Sequence, residues 1–537
     1  MPALQSTLDI HSETFAANRE HCLNMIEQWQ ALEARTRTRS AQSKALFDKR
    51  GSLLPRERLV RLLDVGVPFQ ELCSLAGYLQ DGLVADESLP GGGFIAGIGL
   101  VAGVRVMLVV DDAGIEAGAL QAKGLEKFQR AQTIALENKL PFVHLVESAG
   151  ANLMKYRVEQ FIHGGNLFWG LARLSAAGLP VISVVHGSST AGGAYMTGLA
   201  DYVIMVRKRA RAFLAGPPLL KAATGEIADE EALGGADMHA SISGLAEYLA
   251  DDDAQALGIT RELIAKLQAP VAAPWPDGPA PLFDAQDLLG LFAPDLKKPV
   301  DMREVIARVV DGSDFLEFKS DYGNTTLTGH AAIASQRVGI ISNNGPLDPA
   351  GSTKITHFIQ ACCQSNIPLV YLQNTTGFMV GSGPERSGMI KHGAKQIQAL
   401  ANATVPQITI QCGASFGAGN YGMCGRGLGP RFLFSWPQSR TAVMGPQQAA
   451  DTMEIVMRET ANRKGELLDE TRIAGLKAKI TSTFESQMSA LYTSGLLLDD
   501  GLIDPRDTRR VLALTLKLCV EATTKSSYPM QFGVARP

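Results

Sequence analysis

The chain carries one pattern twice, about 226–227 positions apart. In the first copy an apolar strand, Val106–Asp112, ends in acids, and a helical stretch follows with Leu125, Phe128, Gln132 and Ala135 on one stripe. A second strand, Phe142–Val146, runs into Glu147-Ser148-Ala149-Gly150. After another helix, a third strand, Val181–Val185, runs into the small residues from Gly187 to Tyr195. The second copy repeats the order with Val338–Asn344, then Leu369–Gly377, then Gln407–Gln411 and the run Gly413–Tyr421. Gly150 and Gly187 are 37 positions apart, and Gly377 and Gly413 are 36. Matched spacing between matched glycine motifs marks a duplication. Alternation of continuous apolar strands with helices predicts an α/β fold, a largely parallel sheet with helices outside, and ligands at the strand carboxyl ends.

Composition fits two ordered domains in 537 residues, with 46% hydrophobic and 19% charged positions. Five prolines between positions 270 and 281 interrupt helix and sheet alike and predict a linker or extended strap. We therefore expect an N-terminal helical arm over 1–29, a first domain over 30–269, a linker over 270–299 and a second domain over 300–537. A net charge of −4 and a pI near 6.2 give no field for nucleic acid or an anionic membrane. Seven scattered cysteines without C-x-x-C predict neither a disulfide framework nor a zinc ribbon. The first residues lack a basic n-region, and no apolar run reaches the ~18 residues that span a bilayer. The expected location is a reducing cytoplasm.

Fifty-four glycines point to tight backbone turns. A strand, a small-residue turn and a helix leave several main-chain N–H groups without helical partners, with about half a positive charge from the macrodipole. Such turns bind phosphate or hold a carbonyl oxygen that becomes an oxyanion; close helix–sheet packing is the alternative. No G-x-x-x-x-G-K-[ST] is present. Gly417–Gly422 matches G-x-G-x-x-G, but it follows a late strand and no acid occurs before Asp451, so nicotinamide binding is poorly supported. Gly413-Ala414-Ser415-Phe416-Gly417 matches G-x-S-x-G, but the elbow needs a later histidine and the last one, His392, lies upstream. There is no H-E-x-x-H. His144, His163, His186 and His239 each stand alone, which suits packing or hydrogen bonding better than metal ligation. Arg56, Arg58, Lys123 and Lys221 are candidate phosphate partners, with solvated surface charge the plainer reading. Two oxyanion holes and no side-chain base are what remain.

At these residues the chain resembles the carboxyltransferase β subunits of biotin-dependent acyl-CoA carboxylases. The carriers are Ala191–Tyr195, Ala215–Glu226 and Leu233–Ala236 in the first half, with Leu372–Gly381 and Ser415–Met423 in the second. The resemblance covers nearly everything from Leu53 onward and implies tandem duplicated crotonase (ClpP-like) ββα superhelix domains. It implies that Gly192 and Gly193 serve the thioester oxygen, while Ala418 and Gly419 serve the biotin ureido oxygen. It further implies an acyl-CoA site at Gly150, Ala151, Gly164, Gly165, Ala194 and Tyr195. The biotin site would comprise Thr376, Gly377, Phe378, Phe416, Gly417, Asn420 and Tyr421. No Ala-Met-Lys-Met signature or ATP-grasp loop is present. Biotin carboxylase and the biotin carrier would therefore reside on a partner α subunit, in an α6β6 complex built on a β homo-hexamer. No metal is expected on this chain.

The family's methylcrotonyl branch is the better match, with three departures, one of them a segment between Asn152 and Phe161 shorter than usual. Glu147-Ser148-Ala149-Gly150-Ala151-Asn152 stands where the family often has Asp-Ser-Gly-Gly-Ala-Asn. Gly164, in His163–Trp169, aligns with a phenylalanine usual in methylcrotonyl-type subunits. Removing that ring at a helix start is either neutral drift or room for a longer β-methyl enoyl-CoA such as geranyl-CoA. The alternatives are 3-methylcrotonyl-CoA carboxylase, a biotin-independent crotonase-type hydratase or isomerase using Glu147, and a silent scaffold.

Overall fold

A computed structural model describes residues 3–80, 84–150, 157–267, 277–295, 298–465, 470–526, 528–530 and 534. Most of the proline-rich segment, 268–276, lies outside the described residues. The chain divides into two compact units. One comprises residues 31–274, 495–497 and 520–537; the other comprises 1–30, 275–494 and 498–519.

In the first unit the strands are β1 (Gln70–Leu72), β2 (Phe94–Val101), β3 (Val104–Asp111), β4 (Phe142–Ser148), β5 (Val181–Thr190), β6 (Tyr202–Val206), β7 (Arg211–Phe213) and β8 (Tyr248–Ala250). They pair in the order β1-β2-β3-β4-β5-β6-β8, with β7 also on β5. From β3 to β8 the pairing is parallel, whereas β2 and β3 form an antiparallel hairpin. The second unit holds β9 (Leu316–Glu317), β10 (Thr326–Ile333), β11 (Gln336–Asn343), β12 (Leu369–Thr375), β13 (Gln407–Phe416), β14 (Phe432–Ser435) and β15 (Arg440–Ala442). Its order is β14-β13-β12-β11-β10-β9, with β15 also on β13. Each unit therefore opens with a hairpin, continues in parallel and attaches a short strand to the far end of its central strand. This is the mixed α/β crotonase-like architecture.

The strands pair this way because their side chains have nowhere else to go. All eight residues of β3 are buried, which continuous Val/Met/Leu runs covered on both faces require. Phe128, on the helix Ala122–Glu137, packs between Phe94 and Phe142, with ring centroids 5.6 and 5.4 Å away. The second core has Phe358, Tyr371, Leu400 and Met423 at its centre.

The central strands are longer than the apolar runs suggest. Periodicity ends the third strand of each copy at Val185 and Gln411, yet β5 runs to Thr190 and β13 to Phe416. The reason is tertiary. Ser188–Thr190 pair in parallel with Arg211–Phe213, and Ala414–Phe416 with Arg440–Ala442. Pairing partners from later in the chain hold polar and small residues extended, so each turn contracts to a few positions.

The helix Glu13–Ala41 is not a free arm. Phe15, Cys22 and Ile26 are buried in the β9–β15 unit, with Cys22 and Ile26 packed on Leu289. Leu32 and Ser40 are buried in the β1–β8 unit, where Ser40 donates to Asp112. The C-terminal residues 520–537 join the β1–β8 unit: Glu521 pairs with Arg105 at 3.1 Å, and the Lys525 carbonyl accepts from Lys139 Nζ at 2.7 Å. Among the described residues no helix is long and apolar enough to cross a membrane.

Candidate active site

Strand β5 ends at Thr190, and the next residue, Ala191, takes φ 53° and ψ −114° before the helix Gly192–Gly198. Strand β13 ends at Phe416, and Gly417 takes φ 55° before Ala418 and the helix Gly419–Gly422. In both units the kinked residue donates its N–H back to the attached short strand: Ala191 to the Phe213 carbonyl at 3.0 Å, and Gly417 to the Ala442 carbonyl at 2.9 Å. One backbone device thus occurs twice, made with glycine in one unit and with alanine in the other.

The kink points the following amides away from the sheet. Among the described residues the N–H groups of Gly192, Gly193, Ala418 and Gly419 donate to no acceptor. The helices that follow are only seven and four residues long. The macrodipole expected from sequence is correspondingly small, so each turn acts through individual N–H donors.

In the β9–β15 unit two glycine loops meet back to back. A Cβ on Gly419 would lie 2.8 Å from the Gly377 Cα and 2.9 Å from Thr375, so no side chain fits there. Gly377, at φ 115°, donates its N–H to Thr375 Oγ1 at 3.2 Å. Phe378 packs against Gly422 and Gly393. Thr376–Phe378 is thereby brought beside Ala418 and Gly419. Tyr421 is 52% exposed, and Asn420 donates through Nδ2 to the buried Ser415 at 2.7 Å. A buried, hydrogen-bonded Ser415 is not an exposed nucleophile.

In the β1–β8 unit, Gly150 lies against Thr190: its Cβ would be 2.9 Å from Thr190 Oγ1. Tyr195 is exposed and meets the Phe168 ring edge-on, with centroids 6.1 Å apart. Phe168 also covers Gly192, whose Cβ would sit 3.6 Å from the ring. Gly164 is one helical turn before Phe168 on the helix Val158–Ala176, hence on the same face. It lies in the second turn of that helix rather than at its start, and a Cβ there would meet nothing within 4 Å among the described residues. Gly165 beside it is exposed and equally open, and Ala194 is half-buried within Gly192–Gly198. Ala151 lies outside the described residues.

The charged candidates resolve differently. Arg58 is a correction: its side chain is 1% exposed, not solvated, with Nη2 2.6 Å from Glu147 and Nε 3.1 Å from Asp253. Arg56 pairs with Glu71 at 2.8 Å and Lys123 with Glu126 at 2.8 Å, while Lys221 is exposed. Glu147, the acid a hydratase would need, packs against Gly187 in β5 with its carboxylate engaged by Arg58. His186 closes this cluster through Nδ1, 3.0 Å from Asp253 Oδ1. Burial, reinforced by the Arg58 charge, lowers its pKa to about 4. Burial opposes the Asp253 carboxylate, but the His186 hydrogen bond, the Arg58 charge and the Leu53 amide outweigh it and hold its pKa well below the usual range. The other histidines also hydrogen-bond: His144 to Asp111 at 2.8 Å and His239 to the Ala212 carbonyl at 2.7 Å, while the His163 carbonyl accepts from Gln129. Among the described residues no group of three or more His, Cys, Asp or Glu side chains could hold a metal.

Phe168 and Ala191 lie in runs quoted from the sequence but were given no role there, and Thr197 was not singled out at all. Phe168 had no motif to mark it, and the strain at Ala191 is invisible without coordinates.

Two crotonase-like units, each with a pair of amides free of acceptors among the described residues at the end of its central strand, belong here to a carboxyltransferase. The carboxyl transferase domain matches residues 48–534. The chain is 47% identical over 492 residues to a probable biotin-dependent acyl-coenzyme A carboxylase beta2 subunit of Mycobacterium tuberculosis, covering 91% of each chain. It is 44% identical over 508 residues to a probable methylcrotonoyl-CoA carboxylase beta chain of Drosophila melanogaster, covering 91% of this chain and 87% of that one. The crystal structure of the P. aeruginosa geranyl-CoA carboxylase beta subunit superimposes with a TM-score of 0.93 at 49% identity, covering 100% of both chains. The chain belongs to the carboxyltransferase β subunits of biotin-dependent acyl-CoA carboxylases.

Two outcomes follow from this geometry. A non-glycine residue at φ 53° and ψ −114° stores about 1–3 kcal/mol. Ala191→Gly should therefore raise stability by about 1 kcal/mol after the entropy of the added glycine is subtracted, and Ala191→Val should lower it by at least as much; urea midpoints read both. His186 has a folded pKa of about 4 against an ordinary 6.5. Its contribution is complete above pH 6.5 and drains away as pH falls toward 4, by on the order of 3 kcal/mol. His186→Asn should flatten the unfolding free energy across that window relative to wild type.

Proposed function

We propose that this β subunit carboxylates the γ-carbon of a β-methyl-α,β-unsaturated acyl-CoA with a long chain, geranyl-CoA being the fitting substrate. The observation that carries the reading is the open space at Gly164. This residue shares a helix face with Phe168, and the Phe168 ring lies over Gly192. An acyl group whose thioester oxygen reached Gly192 and Gly193 would run along that face. A side chain at Gly164 would occupy the room that the distal half of a C10 chain needs.

The chain's own part in the reaction is electrostatic. Gly192 and Gly193 would donate to the thioester oxygen as the γ-proton leaves, stabilising the dienolate. Ala418 and Gly419 would donate to the ureido oxygen of biotin, with Thr376, Gly377, Phe378, Phe416, Gly417, Asn420 and Tyr421 forming the surrounding wall. Carboxybiotin, carried by the partner α subunit, supplies the carboxyl group and, once CO2 has left, the base. Each donor would lower the barrier by about 2.7–4 kcal/mol, and no ionisable side chain of this chain is required. The family implies that the two turns meet across neighbouring protomers in a β hexamer of an α6β6 assembly. Seven free cysteines suit the reducing cytoplasm expected for it.

The second reading, 3-methylcrotonyl-CoA carboxylase, is supported by the names of several relatives. Bicarbonate incorporation by the reconstituted α/β complex over a series of enoyl-CoA lengths separates the two. Preference for C10 is expected; a wild-type complex that ignores C10 chains and accepts C5 would establish the second reading instead. Gly164→Phe should lower kcat/KM for geranyl-CoA at least ~30-fold, since each methylene denied burial forfeits about 0.8 kcal/mol. Activity on 3-methylcrotonyl-CoA should survive. The ratio between the two esters is the measurement, because a folding defect would reduce both alike.

A further inference from the structure

The duplication reaches behind the donors, into the buried polar side chains under each turn. Ser189 and Ser415 are 226 positions apart, both on the final stretch of a central strand and both 0% exposed. Each lies just past a shift in strand register and directly opposite a second hydroxyl residue. Ser148 faces Ser189, and Thr375 faces Ser415. Those facing hydroxyls each accept the N–H of the glycine two positions on: Gly150 to Ser148 Oγ at 3.1 Å, and Gly377 to Thr375 Oγ1 at 3.2 Å.

The two serines do something different. Each reaches past its turn to a side chain in the helix beyond. Ser189 Oγ is 3.0 Å from Thr197 Oγ1, and Ser415 Oγ accepts from Asn420 Nδ2 at 2.7 Å. Ser189 Oγ also backs the first donor pair, since a Cβ on Gly193 would lie only 3.4 Å from it. A hydroxyl buried at the end of an apolar strand is costly unless it is paired. Alanine would fill either place without that cost. In both units a serine is present, and its partner is a threonine in one and an asparagine in the other. The tie is common to the two units, while the chemistry at its far end differs. Hydrogen bonding from the strand to the helix closes each kink from behind and leaves the intervening amides one direction in which to point.

We propose that Ser189 and Ser415 are positioning residues, each holding one pair of amide donors in line with the oxygen it stabilises. The proposal rests on the two-turn reading above for its catalytic consequence, but not for the tie itself. It assigns Ser415 a use that its G-x-S-x-G setting disguises: the hydroxyl is an acceptor within the protein and never meets substrate.

The test uses the reconstituted α/β complex with Ser189→Ala, Thr197→Val, the double variant and Ser415→Ala. Amide hydrogen exchange is followed in peptides covering 190–198 and 416–422, together with kcat and KM for the acyl-CoA. Ser189→Ala and Thr197→Val should each speed exchange at 190–198 only, and Ser415→Ala at 416–422 only. Each single variant should lose roughly 10- to 100-fold in kcat, the scale of a donor displaced by about an ångström, with KM within about twofold. The Ser189→Ala/Thr197→Val double variant should be no slower than either single one, because both remove the same bond. Unchanged exchange in the altered turn would overturn the proposal whatever the activity. So would losses that multiply in the double variant, or a rise in KM with kcat intact. A wild-type complex that carboxylates no enoyl-CoA would instead overturn the functional reading, and the exchange measurements would still decide the tie.

Discussion

Everything at the two turns depends on parallel pairing that continues beyond the apolar part of the central strand. β7 and β15 flank the residues after Val185 and Gln411 on one side, while Ser148 and Thr375 pair with them on the other. With them, the backbone is held straight up to Thr190 and Phe416 and must then reverse within a residue. The reversal forces a positive φ at Ala191 and Gly417, and that kink frees the next amides from both sheet and helix. The donors are thus a by-product of how the strand ends. They need no side chain, so glycine and alanine can occupy these positions.

A site built from amides places unusual demands on what surrounds it. Side chains must be excluded where loops touch, as at Gly419 against Gly377, and buried polar groups must be paired close by. The Arg58–Glu147–Asp253–His186 cluster meets the second demand under β5. Breaking a buried ion pair by removing one partner costs about 3–5 kcal/mol, so the cluster fixes Glu147 in place and removes it from chemistry. The acid that the sequence offers to a hydratase thus lies in an ion pair with Arg58.

In the function proposed, specificity falls to a different element. The helix Val158–Ala176 places Phe168 over Gly192 and leaves space at Gly164. On that proposal the donors set which reaction is possible, and this helix sets how long a chain can reach them. Separating the two would let the substrate range change through one side chain without disturbing the amides.

Much of this was legible in the sequence. The repeat offset gave the two units their common order of strands, and the absence of a usable base beside intact glycine motifs pointed to oxyanion chemistry. Both are local or periodic signals, written in hydrophobic spacing and in glycine. Other features were not legible: the reach of β5 and β13, the burial of Arg58, the strain at Ala191 and the hydroxyl ties of Ser189 and Ser415. Some depend on a partner far away in the chain, such as Arg211–Phe213 for β5 or Asp253 for Arg58, while the two serine ties close on residues eight and five positions on, across a turn whose path only the fold sets. A sequence records which groups need partners. Only the folded chain decides which partner arrives, because hydrogen bonds and ion pairs act over a few ångströms and the residues that make them here lie anywhere from a single turn to hundreds of positions apart.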